Sequence, residues 1–277
     1  AGDRLWVVNQ DNDSVSVFDT ATDTKVAEIP VGSAPRALAI APNGEIWVTN
    51  KQSATISAID PTSLAVIRTI PLPFASQPFG IAAAPVGGVV YVALEGTGRI
   101  LKINAGDGTT LASLDVGPHP RHLSVTGDGS LVYVSRFITP PLPGENTAAV
   151  QTPAGVGAEI VVLNGPAMTL QQTITLRHSD QPDFEIQGRG IPNYLGALAI
   201  SPDGQSAWVP SKQDNVKRGV LRDTLGLNFQ NTVRAISSRI DLVAGAEDYA
   251  KRIDHDNSGV ASAIAYDRLG IYMFVAL

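Results

Sequence analysis

The feature that most constrains this chain is a phrase it repeats. Residues 35–50 read as a run of alternating apolar residues, a Pro/Asn/Gly turn, and a second apolar run with Trp47 near its start. The phrase returns over residues 120–135 and again over 198–211. A supersecondary unit repeated about every 40 residues cannot bury its own apolar face, so it stacks on copies of itself as a solenoid or a propeller. Between the phrases, period-two alternation, β-branched residues and small polar turns mark further antiparallel strands.

Each unit therefore supplies four strands, A to D. Strand A follows a proline in the regular units, and strand B carries the aromatic at Trp6, Trp47, Tyr91, Tyr133, Trp208 and Tyr272. Strand C ends at Asp19, Asp60, Asn104, Asn164 or Asp241, and residues 32–35 and 117–120 link strand D to the next A. Four antiparallel strands per repeat are the content of a propeller blade. The expectation is an all-β chain, a single β-propeller domain over residues 1–277 built of four-stranded antiparallel blades. The count begins on a strand B and stops on a strand B at 271–277. It predicts an incomplete ring, a fragment of a seven- or eight-bladed propeller, whose last strand stays exposed or pairs with material outside this sequence. An apolar strand without such a partner is an aggregation-prone edge.

Composition excludes several function classes. A hydrophobic content of 44% in 277 residues suffices for a real core. A formal net charge of −6 argues against a nucleic-acid partner, which a phosphate backbone would repel. No apolar run reaches the roughly 18 residues of a spanning helix. The absence of cysteine removes disulfides, thiolate metal sites and covalent haem attachment within the chain.

The rhythm breaks in one region. The strand-B aromatic precedes the end of strand C by 13 positions in the first three units, but by 31 from Tyr133 to Asn164 and 33 from Trp208 to Asp241. The excess lies in B–C loops at 137–158 and 213–232, and a D–A loop at 178–192 is also enlarged. In a four-stranded blade these connections emerge on one face, where binding and catalysis concentrate. Residues 216–222 are basic, Arg218 among them, and 225–229 are apolar. That pattern reads either as a lid or domain contact, or as ordinary solvated surface.

Among candidate residues, His119 and His122 flank Arg121. Their spacing is not the i, i+2 of a metal pair on one strand face. A neutral imidazole beside a guanidinium can polarise an oxyanion, although a loop histidine beside a channel-lining arginine explains the pair more simply. Arg36 matches Arg121 in the repeat, which also suits a structural arginine bonding backbone carbonyls. Arg136, Arg189 and Lys212 fall at strand-B ends or in the enlarged D–A loop. With Arg36 and Arg121 they predict a positive patch fitted to a carboxylate, a haem propionate or an acidic partner surface. Residues 11–13 and 254–259 resemble calcium ligands in composition but read as turns. No nucleophile elbow, phosphate loop or zinc helix occurs.

Trp47-Val-Thr-Asn50, with its Pro-led strand before it and Ile59-Asp-Pro-Thr62 after it, resembles the YVTN-type β-propeller repeat of bacterial and archaeal surface and periplasmic proteins. The stretch 188–222, with Gly-Arg-Gly-Ile-Pro-Asn-Tyr194 and Trp208-Val-Pro-Ser-Lys-Gln-Asp214, resembles propellers joined to a peroxidase-like cytochrome c domain. These resemblances imply a periplasmic, cell-surface or secreted binding scaffold within a larger surface or redox protein. They place any haem in an appended domain, with no cofactor in this chain. The implied partner is a protein domain or an acidic small ligand on the enlarged-loop face, met by Arg36, Arg121, His122, Arg136, Arg189, Tyr194, Lys212 and Arg218. The competing expectation is a lactonase-type or lyase-type propeller enzyme with its site at the channel mouth. That reading needs a histidine with an acid or a metal converging there.

Overall fold

A computed structural model describes residues 3–139, 157–179, 190–215, 232–255 and 258–277. The chain divides into two compact units, Ala1–Val132 with Asn164–Thr169, and Tyr133–Leu163 with Leu170–Leu277. The fold is all-β and of β-propeller type. Among the described residues the helical content is two three-residue 3₁₀ turns and Thr232.

In the first unit, strands β1 (Arg4–Asn9), β2 (Ser14–Asp19) and β3 (Thr24–Pro30) form one three-stranded sheet, the B, C and D of a blade. Strands β4 (Pro35–Ile40), β5 (Ile46–Asn50), β6 (Thr55–Asp60) and β7 (Ala65–Pro71) form a complete blade. So do β8 (Pro78–Ala83), β9 (Val89–Leu94), β10 (Arg99–Asn104) and β11 (Thr110–Asp115). A fourth sheet is ordered β12 (Pro120–Val125), β13 (Leu131–Arg136), β14 (Ala158–Asn164) and β15 (Thr169–Leu176).

The irregular unit of the sequence has a physical explanation. Strands β18 (Ser206–Asp214) and β19 (Val233–Asp241) are nine residues each and pair along their whole length. Their neighbours do not match that length and are broken in two. Both β16 (Ile191–Asn193) and β17 (Ala199–Ile200) pair with β18, and both β20 (Ala246–Glu247) and β21 (Ile253–His255) pair with β19. The B–C expansion thus begins as a prolonged hairpin. Most of the three enlarged loops, including Arg189 and Arg218, lies outside the described residues.

The core of the first unit follows from period two. Strands β5 and β9 are buried on both faces. Ile46 and Val48 point one way, into a cluster with Val15, Val17 and Ile29 of the first sheet. Trp47 points the other way, into a cluster with Ile81, Val90 and Val92 of the third. Each sheet is thus glued to both neighbours by alternate residues of the same strand, which is why one unit alone cannot fold.

Turn chemistry repeats with the strands. The side chains of Asp19, Asp60, Asn104, Asn164 and Asp241 each accept from backbone amides two or three residues on. These Asx turns reverse the chain from strand C into strand D. In strand B, the Asn9 amide donates to Ser14 and Ser16, and the Asn50 amide to Thr55 and Ser57.

One register expectation is corrected. At each A-to-B turn, an amide (Ala41, Ala84, Thr126, Ser201, Asp267) donates to a strand-B carbonyl (Glu45, Val89, Leu131, Ser206, Tyr272). The repeat aromatic comes two residues after that carbonyl, at Trp47, Tyr91, Tyr133 and Trp208, and therefore at Phe274, not Tyr272. The fragment 271–274 carries two aromatics, and only distance from the turn glycine, Gly270 or its counterpart Gly204, separates them. Strand β23 (Met273–Ala276) pairs with β22 (Ala263–Tyr266), and its other edge is open among the described residues.

Every outer strand of the first unit carries one extra residue. Register shifts in the β2–β3, β6–β7 and β10–β11 pairs leave Val26, Ile67 and Leu111 without a partner across the sheet. Each is a β-bulge on the rim, with its apolar side chain about half exposed.

Candidate ligand-binding site

The first unit's A strands lie side by side, β4 beside β8 and β8 beside β12. The contact is close. A Cβ on Gly80 would stand 2.2 Å from the Arg121 carbonyl oxygen and 3.0 Å from His122 Cα. Thr49 Oγ1 donates to the Phe79 carbonyl at 2.6 Å, tying β5 to the next blade's strand A. The residue before each A strand of the first unit adopts a left-handed conformation, with φ 53° at Ala34, 49° at Gln77 and 55° at His119. In β4 and β8 the second and third residues form a bulge against strand B, between Pro35 and Leu38 and between Pro78 and Ile81. Such bulges re-aim side chains, and here they accompany a cluster.

The centre of that cluster is Phe79. The Arg121 guanidinium lies 4.5 Å from its ring centroid, Lys51 Nζ 5.6 Å and the Arg36 guanidinium 5.9 Å. His122 packs edge-on against the same ring at 5.3 Å. Glu95 accepts on one oxygen from Arg121 Nε at 2.9 Å and from Arg121 Nη2, and on the other from Lys51 Nζ at 2.6 Å. Burial pushes the Glu95 carboxyl up, but the hydrogen bonds and charges of Lys51 and Arg121 outweigh it, and the group titrates below its ordinary value.

Arg36 differs from the other two cations. It donates through Nη1 to the neutral Gln10 carboxamide, and its Nε is buried with no acceptor. Among the described residues no carboxylate pairs with it. Among the described residues, three cations against one carboxylate give the cluster a formal charge of +2, on a chain whose net charge is −6. Arg36 and Arg121 thus each reach a side chain of the preceding blade.

His122 stays neutral at physiological pH. Burial draws its pKa down to about 4, helped by the Arg121 charge and opposed by Glu95. His178, buried in the second unit with neither ring nitrogen hydrogen-bonded, is drawn down to about 4 by burial and by Arg252. A histidine whose folded pKa lies below its unfolded value of about 6.5 costs stability as pH falls through that interval. The melting temperature should therefore drop as pH is lowered from 6.5 to 4. His122→Phe, which keeps a ring against Phe79, should show a shallower drop in a pH series of thermal melts. A slope identical to that of the parent would remove His122 from this account.

The other predicted residues lie in the second unit. Arg136 pairs with Glu159 at 2.8 Å, and Lys212 with Asp214 at 3.0 Å. Lys212 Nζ also sits 3.9 Å from the Tyr194 ring centroid, and Tyr194 stacks on Phe137 at 4.3 Å. The Tyr194 amide donates to the Phe137 carbonyl at 2.8 Å, and Asn193 donates to Asp214 at 2.8 Å. This is a braced aromatic and ionic network in which both cations have a carboxylate. Arg189 and Arg218 lie outside the described residues.

The sequence reading missed Lys51, Phe79 and Glu95. The signal lay in two columns of the repeat. The second residue of strand A is Arg36, Phe79 or Arg121, and the fourth residue after the strand-B aromatic is Gln10, Lys51 or Glu95. The first column packs against the second column of the preceding blade in every case: Arg36 on Gln10, Phe79 under Lys51, Arg121 on Glu95.

No family model matches the sequence, and no curated protein does. Among solved structures, Kuenenia stuttgartiensis hydrazine synthase superposes with a TM-score of 0.74 at 20% identity, over 99% of this chain and 70% of that one. A functionally unknown protein from Desulfotomaculum acetoxidans DSM 771 superposes with a TM-score of 0.64 at 16% identity, over 99% of this chain and 75% of that one. At such identities the likeness concerns the fold.

Proposed function

We propose that this chain is an extracytoplasmic propeller scaffold that binds an acidic group at the Arg36–Lys51–Arg121 cluster, as a docking module of a larger surface or redox protein. The observation that carries the reading is Arg36, a partly buried guanidinium that no carboxylate meets among the described residues. Burying such a charge is costly unless an anion completes it. The YVTN-like repeat and the likeness of residues 188–222 to propellers joined to a peroxidase-like cytochrome c domain support a periplasmic or cell-surface setting. They also support a haem, if one serves this protein, in an appended domain. The lactonase or lyase reading is less well supported, because the acid of the cluster is held by two cations.

The test is Arg36→Ala. Because Arg36 has no carboxylate to orphan, the variant should melt within a few degrees of the parent. Its affinity for a glutamate-containing peptide, measured by calorimetry, should fall at least tenfold, in keeping with the roughly 2 kcal/mol or more of a desolvated charge pair. Equal affinity in the two proteins would refute the assignment.

A further inference from the structure

Resting on the anion-binding reading, we infer that Glu95 tempers the charge preference of the cluster, weakening a doubly charged phosphate or sulfate more than it weakens a singly charged carboxylate. Glu95 is a nearly buried carboxylate, with its side chain 8% exposed, and its two oxygens engage two of the three cations. It therefore does two things at once. It occupies the donors of Arg121 and Lys51 that face it, and it fixes a negative charge in the same cluster as Arg36, which no carboxylate meets among the described residues.

What remains for a ligand is the outer edge of Arg36. Its Nη1 already serves Gln10 and its Nε is buried, which leaves Nη2 as the donor that an anion meets. A carboxylate oxygen satisfies that donor with one charge-assisted hydrogen bond. A second negative charge on the ligand has no second free guanidinium to meet among the described residues, and it feels the fixed charge of Glu95. Arg36 and Arg121 both lie within 6 Å of the Phe79 centroid, so an anion on Arg36 joins the same cluster as Glu95. At about 10 Å, with an effective dielectric of about 50 between those of a protein surface and water, one unit of charge changes the affinity for a monoanion about threefold and for a dianion about tenfold.

The experiment titrates the parent chain, Glu95→Gln and Arg36→Ala with benzoate, sulfate and an acetylated, amidated Gly-Glu-Gly peptide. Glu95→Gln should strengthen benzoate and the peptide about threefold and sulfate about tenfold, raising the sulfate-to-benzoate ratio about threefold. Lys51→Met should move that ratio the opposite way, and it tests the idea independently if Glu95→Gln fails to fold. Binding of benzoate identifies a free carboxylate as sufficient, whereas binding of the peptide alone identifies a glutamate or aspartate side chain of a protein as the source. A ratio unchanged in both variants, with Arg36-dependent binding intact, overturns the role of Glu95 alone. Absence of binding in the parent, or binding indifferent to Arg36→Ala, overturns the anion site itself.

Discussion

Replacing Gly80 by valine is expected to cost about 3 kcal/mol or more, at the upper end of what overpacking usually costs. The first atom of any side chain there would lie 2.2 Å from the Arg121 carbonyl oxygen, and that oxygen belongs to backbone that cannot swing aside. Strands β8 and β12 would have to separate. The melting temperature should fall by on the order of 10 °C, and the movement would carry Arg121 and His122 off the Phe79 ring, abolishing anion binding as well. Gly44→Ala is the control. Its site is open, with nothing within 4 Å of a built Cβ, but its φ of 87° suits glycine, so only the conformational cost of about 1 kcal/mol should appear. Equal losses at the two positions would show that the approach of the strands does not limit this fold.

Trp47→Ala should destabilise the chain by about 3–5 kcal/mol, the usual range for a large aromatic removed from a core. The ring is fully buried between two sheets and its Nε1 donates to Glu45 Oε2 at 2.8 Å. Glu45 in turn holds Arg68, which lies 5.6 Å over the Trp47 ring and donates to the Gly106 carbonyl of the next blade at 2.8 Å. The substitution therefore opens a cavity and loosens a clasp between blades. Trp47→Phe should retain most of the packing and lose less than half as much. Denaturant midpoints of the three proteins measure both effects, and an alanine variant within about 1 kcal/mol of the parent would contradict the burial described.

The blades were legible in the sequence because every level of local chemistry agrees. Alternation sets the strands, Asp19 and Asp60 turn strand C into strand D, and the glycine turns set strand A against strand B. The site was half legible. Arg36 and Arg121 announce themselves as cations in an apolar strand. Phe79 does not, because a phenylalanine after a proline in a strand looks like core. Lys51 and Glu95 sit in short turns where any polar residue is unremarkable, and only the packing of one blade on the next brings them to Phe79. The carboxylate of Lys212 was readable, since Asp214 is two residues along the same strand and shares its face. Glu159 beside Arg136 was not readable, because the B–C insertion between them hides the pairing.

The bulges at Val26, Ile67 and Leu111 bear on how a chain so rich in strands keeps to itself. A straight rim strand offers an unbroken ladder of free amides and carbonyls, to which a second chain can zip. Here any such zip would stall within a few residues. Past the bulge, the donors and acceptors of the rim fall out of phase with a regular incoming strand, and the backbone bends away from it. One additional residue per blade thus works as a spacer against fibrous growth, leaving the rim's apolar side chains in water without making them a template.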